Sequence, residues 1–157
     1  MTTFSIRLLV VDDYKPWRRF VRTTCENHPG LRIVGEASDG LEAVRKSQEL
    51  QPDLILLDVE LPKLSGIEAA RRIRAHSPNL AILFCSQYLS PDIAKEALST
   101  GAGGYVVKSD AGRELLPAVE AVLKGVRFVS ASLACHDLVD APADHGNRRR
   151  QKIGAPF

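Results

Sequence analysis

Short branched-aliphatic runs recur along this 157-residue chain, each followed by a longer segment with the spacing of an amphipathic helix. The runs are Ile6-Arg7-Leu8-Leu9-Val10-Val11, Leu31 to Glu36, Leu54-Ile55-Leu56-Leu57, Leu80 to Cys85 and Tyr105-Val106-Val107. Nearly unbroken apolar runs suit strands covered on both faces. After the first run, Trp17, Phe20, Val21 and Thr24 fall at i, i+3, i+4 and i+7, with Arg18, Arg19 and Arg22 between them as a solvated face. Pro16 fits a first helical turn, and Asp39, Ser90 and Asp110 stand where they can open later helices. Pro29-Gly30, Ser77-Pro78 and Gly125 close helical segments. Five strands alternating with five helices require a parallel sheet with helices on both faces, because each parallel crossover needs a helix-length connection. The expected class is α/β, doubly wound.

Composition narrows the function classes. The net charge is +2, but residues 144–157 carry +3 and residues 1–143 carry −1, so the body has no basic bias toward nucleic acid. The basic end reads as a solvated terminus. No apolar run approaches the roughly 20 residues of a membrane span, and Arg7 with Asp12-Asp13 interrupts any secretory pattern. A cytoplasmic protein is expected. Cys25, Cys85 and Cys135 form no C-x-x-C pair, so neither a disulfide scaffold nor structural zinc is expected; Cys85, inside an apolar run, reads as a small buried hydrophobe.

In such sheets ligands bind outside the carboxyl ends of the strands. Asp12-Asp13 follows the first run, Asp58 the third, Ser86 the fourth and Lys108 the fifth. Singly, each has an ordinary explanation, since an aspartate after a strand caps a helix and a lysine there is a solvated charge. Their recurrence at four strand ends points instead to one site. Three carboxylates repel one another, and with no His or Cys nearby the cation suited to relieve them is hard, such as Mg²⁺. Lys108 and the Ser86 hydroxyl would face them with a positive charge and a donor. That set suits a small, doubly charged oxyanion beside a metal. A carboxylate nucleophile forms an acyl phosphate, and phosphoryl transfer asks mainly for positioning and charge neutralisation. Asp58, ending the middle strand of the set, is the expected acceptor.

Leu8-Leu9-Val10-Val11-Asp12-Asp13, Asp58-Val59-Glu60-Leu61-Pro62-Lys63-Leu64-Ser65-Gly66 and Tyr105-Val106-Val107-Lys108 resemble the receiver domain of two-component response regulators, in order and spacing. The resemblance implies a flavodoxin/CheY-like fold with five parallel strands in the order 2-1-3-4-5. It implies that Asp58 takes a phosphoryl group from a histidine kinase, a phosphotransfer protein or a small phosphodonor. Asp12, Asp13 and Asp58 would hold Mg²⁺, with the Glu60 main-chain carbonyl as a further ligand, and Lys108 would pair with the phosphate. Ser86 would move to bond a phosphoryl oxygen and Tyr105 would rotate inward, changing the surface of the fourth helix and fifth strand for a downstream protein partner. Homodimerisation is left open. The implied role is signalling, not enzymatic.

Ser109 stands where many receivers have proline. This serine, Gly101-Ala102-Gly103-Gly104-Tyr105, and Lys124-Gly125 followed by Phe128-Val129-Ser130 resemble the NarL/FixJ (LuxR-like) branch. Glu60 and Tyr88, two residues beyond Asp58 and Ser86, are expected to flank the pocket and to alter water access. The branch usually carries a DNA-binding helix-turn-helix, yet the residues after Gly125 show no amphipathic repeat of that kind. The expected organisation is a receiver over 1–130 and a tail over 131–157, frayed from about Leu138. The chain is then a single-domain receiver, or a receiver whose DNA-binding partner domain lies outside it. A phosphatase of the haloacid dehalogenase type is disfavoured because Asp12-Asp13-Tyr14 lacks the D-x-D spacing, and no glycine-rich phosphate loop follows a strand.

Overall fold

The structure is a computed structural model and describes residues 5–136. Its strands are β1 (Ile6–Val11), β2 (Leu31–Ala37), β3 (Leu54–Leu57), β4 (Ala81–Ser86), β5 (Gly104–Val107) and β6 (Phe128–Val129). Its helices are α1 (Lys15–Glu26), α2 (Gly40–Leu50), α3 (Gly66–His76), α4 (Pro91–Leu98) and α5 (Ala111–Leu123). The strand order is β2-β1-β3-β4-β5-β6, which corrects the expected five strands to six. The additional strand pairs in parallel with β5, Gly104 opposite Phe128 and Tyr105 opposite Val129. Two residues are too few to show a period, so nothing local marks them as a strand.

The chain divides into two compact units, Met1–Ile82 and Leu83–Phe157. In the first, β1 lies between β2 and β3, with Val11 opposite both Ala37 and Leu57. Leu8, Leu9, Val10, Leu54, Ile55, Leu56 and Leu57 are buried, as their unbroken apolar pattern requires. Helix α1 turns Trp17, Val21 and Cys25 inward at i, i+4 and i+8, while Phe20 and Thr24, expected in the stripe, stay half-buried. The Phe20 ring lies 5.1 Å from that of Trp17. Burial pushes the Cys25 thiol up to about 11, against the opposing charge of Arg22. Asp39 caps α2 by accepting the Glu42 N–H at 2.7 Å, and the Glu42 carboxylate accepts the N–H of Ser38, the residue before the cap, at 2.8 Å.

In the second unit β5 lies between β4 and β6. Ser90 caps α4 through the Ile93 N–H at 3.2 Å. Asp110 does not cap α5 with its side chain, a correction with a clear cause. A 3-10 turn, Lys108–Asp110, intervenes between strand and helix. The Asp110 backbone is therefore already helical, at φ −101° and ψ 0°, and its carboxylate accepts from Ser132 Oγ and Arg113 instead. Residues Ala131–His136 form a further 3-10 turn with Leu133 buried. The remaining residues of the expected tail, 137–157, lie outside the described residues. Among the described residues no helix is long and apolar enough to cross a membrane.

Candidate functional site

Strand β1 hands directly to Asp12 and strand β3 to Asp58, and Val11 and Leu57 are register partners in adjacent parallel strands. The two acids therefore leave the same edge of the sheet side by side. The ladder runs on into them, with Asp12 N–H bonded to the Ala37 carbonyl at 3.0 Å and Asp58 N–H to the Val11 carbonyl at 3.1 Å. Asp12, Asp13 and Asp58 each offer a carboxylate oxygen within 4.8 Å of the others. Asp12 and Asp58 are buried, at 0% and 7% exposure, whereas Asp13 is exposed. Of the three acids, Asp13 is the one open to water.

Main-chain donors orient the two buried acids. Asp12 Oδ1 accepts the Tyr14 N–H at 2.9 Å, and Asp58 Oδ1 accepts the Val59 N–H at 2.8 Å. The donor set is all oxygen, with no imidazole or thiolate in it, which fits a hard cation such as Mg²⁺. Glu60 is exposed in the loop after Asp58 and is not one of the three clustered side chains.

Two supports of the site lie outside the expected site residues, Arg18 with no sequence signal and Gly66 as the last residue of the motif that starts at Asp58. Arg18 reaches back from α1 to donate to the Asp12 carbonyl at 2.6 Å and to Glu36 at 2.8 Å, and Arg22 bonds the same glutamate. Burial alone would raise the Glu36 carboxyl, but the hydrogen bonds and charges of Arg22 and Arg18 outweigh it and hold the carboxyl below its usual value. Arg18 thus belongs to the site's scaffold, not to a merely solvated face. The other support is Gly66, whose N–H donates to the Val59 carbonyl at 2.7 Å, drawing the start of α3 onto the acceptor loop. Ser65 caps α3 at that junction through the Glu68 N–H at 3.2 Å.

Ser86 and Lys108 belong to the second unit. Ser86 ends β4 opposite Val107, so the hydroxyl and the lysine that follows Val107 stand at the same end of neighbouring strands. Ser86 is fully buried, and its Oγ accepts the Tyr88 N–H at 3.0 Å. Tyr105 is also fully buried, with its hydroxyl donating to the Tyr88 carbonyl at 2.8 Å. Tyr88 therefore touches both switch candidates, through its N–H and its C=O. Tyr105→Phe is expected to cost about 1 kcal/mol in denaturant unfolding, the net worth of one such bond. No change in midpoint would show that the hydroxyl does not hold the ring inward.

Comparison with known proteins agrees with this architecture. The family model for the response regulator receiver domain matches residues 8–120. A protein-glutamate methylesterase/protein-glutamine glutaminase of Alkalilimnicola ehrlichii is 37% identical over 97% of this chain and 41% of its own. Response regulator GacA of Pseudomonas viridiflava is 33% identical over 82% of this chain and 60% of its own. This chain thus spans only about half the length of these curated relatives. The crystal structure of a LuxR-family two-component response regulator from Aurantimonas sp. SI85-9A1 superposes with a TM-score of 0.81 at 36% identity, covering 89% of this chain and 99% of that one.

Proposed function

The chain belongs to the response regulator receiver family, and from that premise we propose that it carries a phosphoryl signal on Asp58. The observation that carries the reading is the set of three carboxylates, within 4.8 Å, at the ends of two paired strands. Asp12, Asp13, Asp58 and the Glu60 main-chain carbonyl would hold Mg²⁺, which when bound supplies positive charge beside the phosphoryl oxygens. A lone pair of an Asp58 carboxylate oxygen attacks phosphorus, the bond from phosphorus to the donor's nitrogen or oxygen breaks, and the donor leaves with that electron pair. Attack needs an ionised acceptor held in line, and the Val59 N–H orients the Asp58 carboxylate through Oδ1.

Lys108 is assigned to the phosphate as its ionic partner and Ser86 as its hydroxyl donor. Their placement at one end of β4 and β5 supports those roles. Phosphorylation adds close to two negative charges and three acceptor oxygens. A Ser86 hydroxyl recruited to that group gives up the Tyr88 N–H, which alters the backbone segment that also receives the Tyr105 hydroxyl. The surface of α4 and β5 then changes for a protein partner. The donors are a sensor histidine kinase or a phosphotransfer protein, and the receiver is assigned to residues 1–130 as a cytoplasmic signalling module rather than an enzyme. A homodimer formed on phosphorylation is a further outcome of the switch.

A second reading has its own support: the similarity to response regulator GacA and to a LuxR-family regulator favours the receiver part of a DNA-binding transcriptional regulator. Sequencing the gene downstream for a helix-turn-helix separates the two. The shared phosphoacceptor step is tested with acetyl phosphate and Mg²⁺, followed by peptide mapping. The expected product is a hydroxylamine-sensitive phosphoryl group on the peptide containing Asp58. Modification mapped to another residue overturns the assignment.

A further inference from the structure

We propose that Glu114 and Ser130 form a positioning pair that holds the Lys108 turn in place for an anion without touching that anion. The inference rests on the phosphoacceptor reading above. Ser130 is fully buried and Glu114 is 9% exposed, and neither is used by the phosphoryl chemistry. Ser130 Oγ accepts the Val107 N–H at 2.8 Å. Its single proton is then free to go to Glu114 Oε1, 2.6 Å away. The other carboxylate oxygen, Oε2, accepts the Ala131 N–H at 3.1 Å, and the Ser130 N–H donates to the Tyr105 carbonyl at 3.0 Å.

The arrangement solves a specific problem. Strand β6 ends at Val129, so the Val107 N–H is met by a side chain rather than by a ladder carbonyl. Serine suits the place because its hydroxyl accepts and donates at once. A buried carboxylate is costly unless hydrogen-bonded, and Glu114 accepts at both oxygens. On the far side of the turn, Asp110 Oδ2 accepts from Ser132 Oγ at 2.9 Å. Residues 107 and 110, which bracket Lys108, are thus both tied to the segment from Ser130 to Ser132. A peptide held at both ends presents its lysine in one place, and misplacement by about 1 Å is costly for an oriented group.

The test uses the whole chain, with beryllofluoride as the phosphoryl mimic. Ser130→Ala removes the relay, and Glu114→Gln keeps the volume but removes the charge and one of the two carboxylate acceptors. With Mg²⁺ saturating, each variant is expected to bind beryllofluoride about tenfold more weakly, as for one lost buried hydrogen bond. The double variant is expected to match the singles, because the two residues act as one unit. Mg²⁺ affinity in the absence of the mimic is expected to stay at the wild-type value, since the metal-binding carboxylates sit on other strands. In the wild type, exchange of the Val107 amide is expected to slow when the mimic binds, by reciprocal linkage. This measurement carries the test if the variants do not fold.

Unchanged beryllofluoride affinity in folded variants overturns the inference. So does an equal fall in Mg²⁺ affinity, which would mark a merely structural role, or a Val107 amide indifferent to the mimic. Wild type that takes up no beryllofluoride overturns the phosphoacceptor reading and this inference with it; wild type that binds while the variants bind equally well overturns the inference alone.

Discussion

Asp58→Asn is expected to abolish phosphoryl uptake from acetyl phosphate and to remove most of the stabilisation that Mg²⁺ confers. The first effect is chemical, because an amide oxygen is a poor nucleophile and forms no stable acyl phosphate. The second follows from linkage. A cation that binds only the folded chain raises its stability by about 2.7 kcal/mol at a hundred times its dissociation constant. If the loss of one of three clustered charges weakens binding about a hundredfold, the same concentration then yields only about 0.4 kcal/mol. The carboxylates also repel one another within 4.8 Å, two of them buried, so removing one relieves the metal-free protein. In chelator the variant is therefore expected to be the more stable of the two, by about 1 kcal/mol. Urea unfolding with and without Mg²⁺ reads both numbers. Equal Mg²⁺ stabilisation of the two proteins would remove Asp58 from the metal site.

Gly66→Ala is expected to be the most damaging single-methyl change near the site. A Cβ there would stand 1.8 Å from the Asp58 carbonyl oxygen, 2.8 Å from its carbon and 3.0 Å from Val59 Cα. All three are backbone atoms, so no side chain can rotate away. Either the first turn of α3 or the Asp58 peptide must move, and the bond from Gly66 N–H to the Val59 carbonyl goes with it. A cost of about 3 kcal/mol is expected from the overlap, together with weaker Mg²⁺ binding because the displaced peptide carries the acceptor. Gly112→Ala is the control. It lies in α5 with nothing within 4 Å of its added carbon, and gains up to about 1 kcal/mol from helix propensity. Gly66→Ala within 0.5 kcal/mol of wild type would contradict the close approach, measured in the same urea titration as the control.

The parts that could be read along the chain share a physical character. Strands β1 and β3 announce themselves because a strand covered on both faces needs apolar residues without alternation, and the residues of each run supply that alone. Asp39 and Ser90 announce caps because a cap satisfies amides only two or three positions ahead. Asp12, Asp13 and Asp58 follow from the same rule that predicts the sheet, since parallel strands deliver their carboxyl ends together, and the structure brings those three together. Asp110 failed as a cap for a local reason with a distant origin. Whether a strand passes straight into a helix or through a 3-10 turn is settled by what the turn is tied to, here Ser132, 22 residues on.

Arg18 illustrates the same limit from the other side. On the helix surface it looks like any solvated arginine, and its partners Glu36 and the Asp12 carbonyl lie on different elements. Gly66 closes the motif that starts at Asp58, but that a Cβ is excluded there shows only once the Asp58 backbone lies against it.

From the order of its residues alone, the chain specified its alternating strands and helices, the parallel sheet and the acids at its edge, because hydrophobic period, capping and strand direction act over a few neighbours. Folding in three dimensions decided the sixth strand, the inward Tyr105 and the link from Glu114 to Ser130. Each of these depends on atoms brought together from distant positions, and no short window of sequence holds both partners.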